Sequence, residues 1–378
     1  MRSSDTISTI RSWIFLSLVL LVSGFAAQCS VRAECKVADV NCNVLPLLLY
    51  SKVAVATNLY VVNSTTGSLS EYSIDRTTGL LASIGTATGM AGASGVQVDP
   101  LGRFVFVTAQ TTPRIHRFAI DTTGALSVLG TTTPNFTFPG DLCSDPTGDY
   151  LYSVVAGNNT VEGFSVSSTG FLTSTGTGVA AAGGSSLRIH PSGRFMYTAN
   201  SGGPSISAYS LSAGAPTNIL TTASGGTTPQ GIALDPSGNF LYVANSGGTP
   251  NIAIFSINQS TGIPTLQTTI NSTSVWAVIV DPTGQYVYTT NRGASNSVST
   301  YRRDSAGLLT LIGNVAAGTA PSFLAVDPQS QFLYVSNSNT ATQFVSQYRI
   351  VSGLPVSMGT IPAGDGGSFL NLLVKQFY

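Results

Sequence analysis

Few residues in this chain have side chains suited to chemistry, and their positions set them apart. Asp141 and Arg188 fall on two short segments, 139–144 and 184–189, whose other members are mostly small or apolar. A carboxylate and a guanidinium on neighbouring segments form an ion pair, because buried charges need partners, or they bind an anion or a sugar between them. Gln97 and Asn371 break the apolar rule on corresponding segments. Ser94, Ser186, Gln230, Trp276 and Ser322 lie near the start of such segments, and Arg292 follows a strand that ends on the same rim. Ser186, Gln230, Trp276 and Arg292 are the candidate binding residues. An indole there suits a sugar ring or a protein contact, or else fills a gap in the packing. Arg292, Arg302 and Arg303 read as a small basic cluster on a solvated face. The histidines are two, His116 and His190. His190 takes a turn position that carries Asp in other repeats, and His116 shares the face of Phe118, so both read as structural. Cys143 stands where other repeats have Ala233 and Ala325, as a small buried residue. No metal-ligand spacing, phosphate loop or nucleophile elbow is present, so neither a metal nor a cofactor is expected.

The elements that must hold these residues come from a repeat. Asp99-Pro-Leu-Gly102, Asp145-Pro-Thr-Gly148, His190-Pro-Ser-Gly193, Asp235-Pro-Ser-Gly238, Asp281-Pro-Thr-Gly284 and Asp327-Pro-Gln-Ser330 follow one another at spacings of 46, 45, 45, 46 and 46 residues. A period of that length marks a propeller or a solenoid. Before each anchor, apolar residues alternate as in an inner β-strand, for example Val278 and Val280. The anchor is a tight turn, with Pro setting the second position and Gly accepting the positive φ that closes it. A second strand follows, such as Phe240-Leu-Tyr-Val, which usually ends in Asn. A third strand carries an aromatic in every unit: Tyr72, Phe118, Phe164, Tyr209, Phe255, Tyr301 and Tyr348. A turn and a short fourth strand complete the unit. The first unit lacks an inner strand, and Ser368–Leu373 is unpaired at the other end. The expected fold is therefore all-β, a seven-bladed propeller of four-stranded blades, closed by the C-terminal strand joining the first blade.

The rest of the chain bounds location and partners. Net charge is zero and 8% of residues are charged, so no basic field exists to hold nucleic acid. Arg2 and Arg11 precede an apolar run, Trp13 to Val22, and the small residues after it complete the layout of a secretory signal in 1–28. Ala26-Ala27-Gln28-Cys29 resembles a bacterial lipobox, which would make Cys29 the lipidated first residue; plain signal cleavage is the other reading. Cys35 and Cys42 are then free to pair in an oxidising compartment. Residues 29–52 form a tether and 53–378 the propeller. The chain is expected to be a monomer that meets the membrane through its lipid anchor alone, at the outer membrane or cell surface, or else to be periplasmic or secreted.

The unit Asp-Pro-x-Gly-x-Phe-Leu-Tyr-Val-x-Asn, as in Asp235 to Asn245, resembles the Tyr-Val-Thr-Asn (YVTN) propeller repeat and the lactonase-like seven-bladed propellers, over residues 53 to 378. The resemblance implies relatives that include 6-phosphogluconolactonase and fungal muconate-lactonizing enzymes. It also implies a His-bearing run on an inner strand. Here the matching places read Gly184-Ser185-Ser186 and Pro139-Gly-Asp-Leu-Cys143, without histidine. Lactone hydrolysis needs a group that activates water and one that stabilises the oxyanion, and Asp141 and Arg188 are the candidates left. The expectation is an exported, lipid-anchored scaffold at the bacterial cell envelope that binds a protein or carbohydrate ligand. The alternative is a lactonase-like hydrolase, of 6-phosphogluconolactonase type, at the axial funnel.

Overall fold

The computed structural model describes residues 57–133, 137–179, 182–293, 295–338, 344–363 and 372–376. Cys29, Cys35, Cys42 and Asn371 lie outside the described residues, as do the signal and tether segments.

The described chain forms seven four-stranded antiparallel sheets. Six are built from consecutive strands: blade 2 from 93–132, blade 3 from 139–179, blade 4 from 184–223, blade 5 from 229–270, blade 6 from 275–316 and blade 7 from 321–362. Blade 1 combines Thr57–Asn63, Ser68–Ile74 and Leu81–Ala87 with Leu372–Gln376, which pairs with the first of these from Thr57↔Gln376 to Val61↔Leu372. Seven blades and closure by the C-terminal strand thus agree with the sequence. The closing strand begins near the end of the expected Ser368–Leu373 segment.

The anchor turns show why Asp recurs. Gly238 N–H donates to the Asp235 carbonyl at 2.9 Å with φ of 74°, and Asp235 Oδ1 accepts from Phe240 N–H at 2.7 Å. The carboxylate thereby clamps the start of the second strand onto the turn. In blade 4, His190 Nδ1 accepts from Ser192 N–H at 3.1 Å, and Nε2 faces the Gly238 carbonyl at 3.1 Å, which it meets as donor. The turn role expected of His190 is what the structure shows.

The Phe-Leu-Tyr-Val strand is the joint between blades. The hydroxyls of Tyr197, Tyr242, Tyr288 and Tyr334 donate to the carbonyls of Gly262, Gly307, Gly353 and Gly79 in the next blade, at 2.9, 2.9, 2.9 and 2.7 Å. Gly307 has φ of 81°, and a Cβ there would lie 2.4 Å from the ring of Phe240, so the turn needs glycine twice over. All seven third-strand aromatics are buried. At each of them the pairing to the fourth strand shifts register by a β-bulge, for example between Thr300 and Tyr301.

Strand-end asparagines explain the small residues behind them. Asn63 donates to Ser68 and Ser70, Asn200 to Ser205 and Ser207, and Asn291 to Ser297 and Ser299. Blades 2 and 3 end instead in Ala109 and Val155, and there the partner serine is replaced by His116 and Glu162. His116 is half-buried and Glu162 is buried.

Candidate functional site

The inner strands share a local irregularity that no single-strand periodicity reveals. In blade 6, Val275 pairs with Asn291 and Ala277 with Thr290, which leaves Trp276 unpaired. In the same way Ser94, Ser185 and Gln230 are skipped in blades 2, 4 and 5. In blades 3 and 7 two residues are skipped, Gly140 with Asp141 and Ser322 with Phe323. A bulge re-aims the side chain it carries and often lies beside a functional site. Here the bulges ring one end of the propeller axis and surround a funnel of about 640 Å³ that draws its wall from all seven blades. That volume suits a small-molecule ligand.

Asp141 and Arg188 meet on this wall. Arg188 Nη1 donates to Asp141 Oδ2 at 2.9 Å, and the same oxygen accepts from Ser186 Oγ at 3.1 Å and Leu187 N–H at 3.3 Å. Asp141 Oδ1 accepts from Leu142 N–H at 3.0 Å. The carboxylate therefore crosses from blade 3 to blade 4 and fixes both the bulge and the guanidinium. Asp141 is buried at 9% exposure, whereas 41% of the Arg188 side chain stays open to the funnel. Burial works to lower the Arg188 pKa, but the adjacent carboxylate outweighs it and the guanidinium is held above its ordinary value. The site thus presents a permanently charged donor on a rigid mount.

The other candidate residues divide. Ser186, Gln230 and Trp276 line the funnel. Arg292 is on the same rim, with its guanidinium 4.0 Å over the Trp276 ring, and burial lowers its pKa. It covers the indole rather than the wall. The expected grouping of Arg292 with Arg302 and Arg303 is incorrect, because the strand Ser297–Arg303 carries the last two to the opposite rim. There Arg303 pairs with Asp235 at 2.9 Å and donates to Tyr242 Oη at 3.0 Å. Ser322 also departs from expectation. It is buried against Ser338, and the neighbouring Phe323 reaches the funnel in its place.

Neither histidine lines the funnel. His116 stands on a third strand, away from the axis, and burial lowers its pKa. Cys143 packs beside Tyr152 with its thiol pKa raised by burial, in keeping with a structural role. Among the described residues no group of three or more His, Cys, Asp or Glu is placed to hold a metal ion.

The chain matches the family model for the lactonase seven-bladed β-propeller over residues 56–183, 173–278 and 263–359. It belongs to the lactonase family. Among solved structures, a candidate 6-phosphogluconolactonase of Bacteroides fragilis superposes with a TM-score of 0.73 at 18% identity, covering 85% of this chain and 98% of that one. A Lactobacillus plantarum protein gives 0.73 at 18%, covering 86% and 100%. The periplasmic gluconolactonase of Pseudomonas aeruginosa gives 0.71 at 20%, covering 84% and 99%. No curated protein matches the sequence. At such identities the lactonase likeness of these structures is one of fold.

Proposed function

We propose that this lactonase-family propeller hydrolyses lactones in its axial funnel. The observation that carries the reading is the Asp141–Arg188 pair, held at 2.9 Å on the funnel wall with Ser186 beside it. Arg188 takes the lactone carbonyl and stabilises the oxyanion that forms on attack. Asp141, also on the wall, accepts the proton of the attacking water. The ring C–O bond then breaks, the proton passes to the departing alkoxide, and a hydroxy acid is released. Water is the one co-reactant. Membership of the lactonase family and a charged pair on the funnel wall favour this reading over a binding scaffold.

The assay is hydrolysis of a lactone panel, glucono-δ-lactone, 6-phosphoglucono-δ-lactone and γ-alkyl lactones, above the spontaneous rate. Asp141→Asn and Arg188→Met should each lower kcat by 100-fold or more while the melting temperature stays within a few degrees, since each removes a group acting on the transition state. No turnover above the spontaneous rate in the wild type would return the protein to the scaffold class, and full turnover in both variants would remove this pair from the chemistry.

Export accompanies the proposal. The signal-like 1–28 supports it, as does the periplasmic address in the name of the Pseudomonas aeruginosa relative. Mass spectrometry of the mature N-terminus decides between a lipidated Cys29 and an unmodified start at Ala27 or Gln28.

A further inference from the structure

We infer that the funnel takes an uncharged lactone whose ring carries an apolar substituent, with the ring at Asp141 and Arg188 and the substituent against Trp276 and Phe323. The inference rests on the hydrolase reading for the ring chemistry and goes beyond it in the class of substrate.

The first argument is the division of the wall. Blades 1 to 4 contribute hydroxyl, amide and charged groups to it, among them Ser64, Ser94, Gln110 and Ser186, together with the ion pair. Blades 6 and 7 contribute the half-buried Trp276, Ile279 and Phe323, backed by the buried Val278 and Leu324. Because blades 6 and 7 are neighbours in the ring, these side chains form one continuous apolar sector facing a polar one. Phe323 is there because the blade 7 bulge skips two residues, so the sector is built by the backbone and is not a chance of side-chain rotation. A polyhydroxylated sugar lactone, polar all round, would leave hydroxyls unpaired against that sector.

Charge is the second argument. Among the described lining residues the charged side chains are Asp141 and Arg188, and they neutralise one another. The nearby Arg292 is engaged on the Trp276 ring. A phosphate dianion is ordinarily held by several charge-assisted donors, and this wall offers one guanidinium already paired. The third argument is presentation. One face of the indole is covered by Arg292 at 4.0 Å, and Trp276 still lines the funnel, so a ligand meets the ring's remaining surface as a fixed apolar platform.

The test uses non-hydrolysable 5-alkyl-2-pyrrolidinones, from methyl to heptyl, titrated calorimetrically into the purified protein. Each added methylene should tighten binding about threefold to fourfold until the sector is filled. Phe323→Ser and Trp276→Ala should each flatten that slope, and two variants guard against one failing to fold. A chain-length slope near zero in the wild type, or 6-phosphogluconate binding more tightly than the heptyl compound, overturns the inference. Turnover of the matching γ-alkyl lactones is scored separately. A slope without turnover removes the hydrolase reading and leaves the ligand class, and turnover without a slope does the reverse.

Discussion

Asp141 and His190 are both buried titratable residues, and their surroundings give them opposite duties. Asp141 accepts from Ser186, Leu187, Arg188 and Leu142, so removing Arg188 leaves a carboxylate that neutral donors still satisfy. Arg188, 41% exposed, loses less than a fully buried ion would. Arg188→Met should therefore cost about 1–2 kcal/mol in urea unfolding, below the 3–5 typical of a broken buried pair. Activity in the same variant should collapse, which separates the chemical duty from the structural one. His190 has its pKa lowered by burial, against the upward pull of the Gly238 carbonyl. A base with a depressed folded pKa contributes stability that is present above its ordinary value of about 6.5 and is lost as pH falls through the folded one. The loss of stability from pH 7.5 down to 5 should thus be smaller in His190→Gln than in the wild type. His116, also lowered by burial, has the same sign, so the readout is the difference between the two proteins.

At the scale of elements, the bulge is the device that makes the site. Gly95 directly follows the bulged Ser94, and a Cβ there would meet the Gly140 carbonyl at 2.5 Å and Thr108 Oγ1 at 2.9 Å. Gly95→Ala should cost about 2 kcal/mol by overpacking and, by pushing the segment that carries Asp141, lower turnover as well; equal activity at lower stability would uncouple the bulge from the site. Glu162 offers the opposite sign. It replaces the serine that an asparagine holds in other blades, and burial raises its carboxyl pKa. A raised folded pKa contributes stability that is present below the ordinary value of about 4.5 and is lost as pH rises through the folded one. Glu162→Gln should accordingly stabilise the protein at pH 7 to 8, on the order of 1 kcal/mol, and the gain should vanish below about pH 4.5. Strand types, anchor turns and blade number were legible because each repeats in phase along one chain. Asp141 and Arg188 were legible because they are charged residues on apolar strands. The bulges were not, since a bulge is a mismatch in count between two strands, and neither strand shows it alone. Phe323 escapes the strand pattern for that reason, since an unbulged count puts Ser322 at the funnel. The arginine cluster fails for another: residues close in sequence lie at opposite rims when a strand runs between them.

The whole molecule depends on a closed ring, and closure is made more than once. Leu372–Gln376 pairs with Thr57–Asn63, Tyr334 donates to the Gly79 carbonyl at 2.7 Å, and Gln347 Oε1 accepts from Leu81 N–H at 2.8 Å. The last two contacts join blade 7 to blade 1 by the same surfaces that join other neighbouring blades, so they survive loss of the C-terminal strand. What that strand alone supplies is the inner edge of blade 1. Deleting residues 372–378 removes five antiparallel residue pairs, which at about 0.5–1.5 kcal/mol per hydrogen bond is several kcal/mol. That is a large share of the roughly 5–15 kcal/mol that holds a domain folded. It also exposes an unpaired edge along Thr57–Asn63, a template for pairing with another copy. The shortened chain should keep its far-ultraviolet β signal, melt several degrees lower and associate as its concentration rises, as light scattering would detect. Because the funnel draws on all seven blades, its turnover should fall together with the fraction of closed monomer. A shortened chain that stays monomeric with an unchanged melting temperature would mean that the blade-to-blade tyrosine joints hold the ring by themselves.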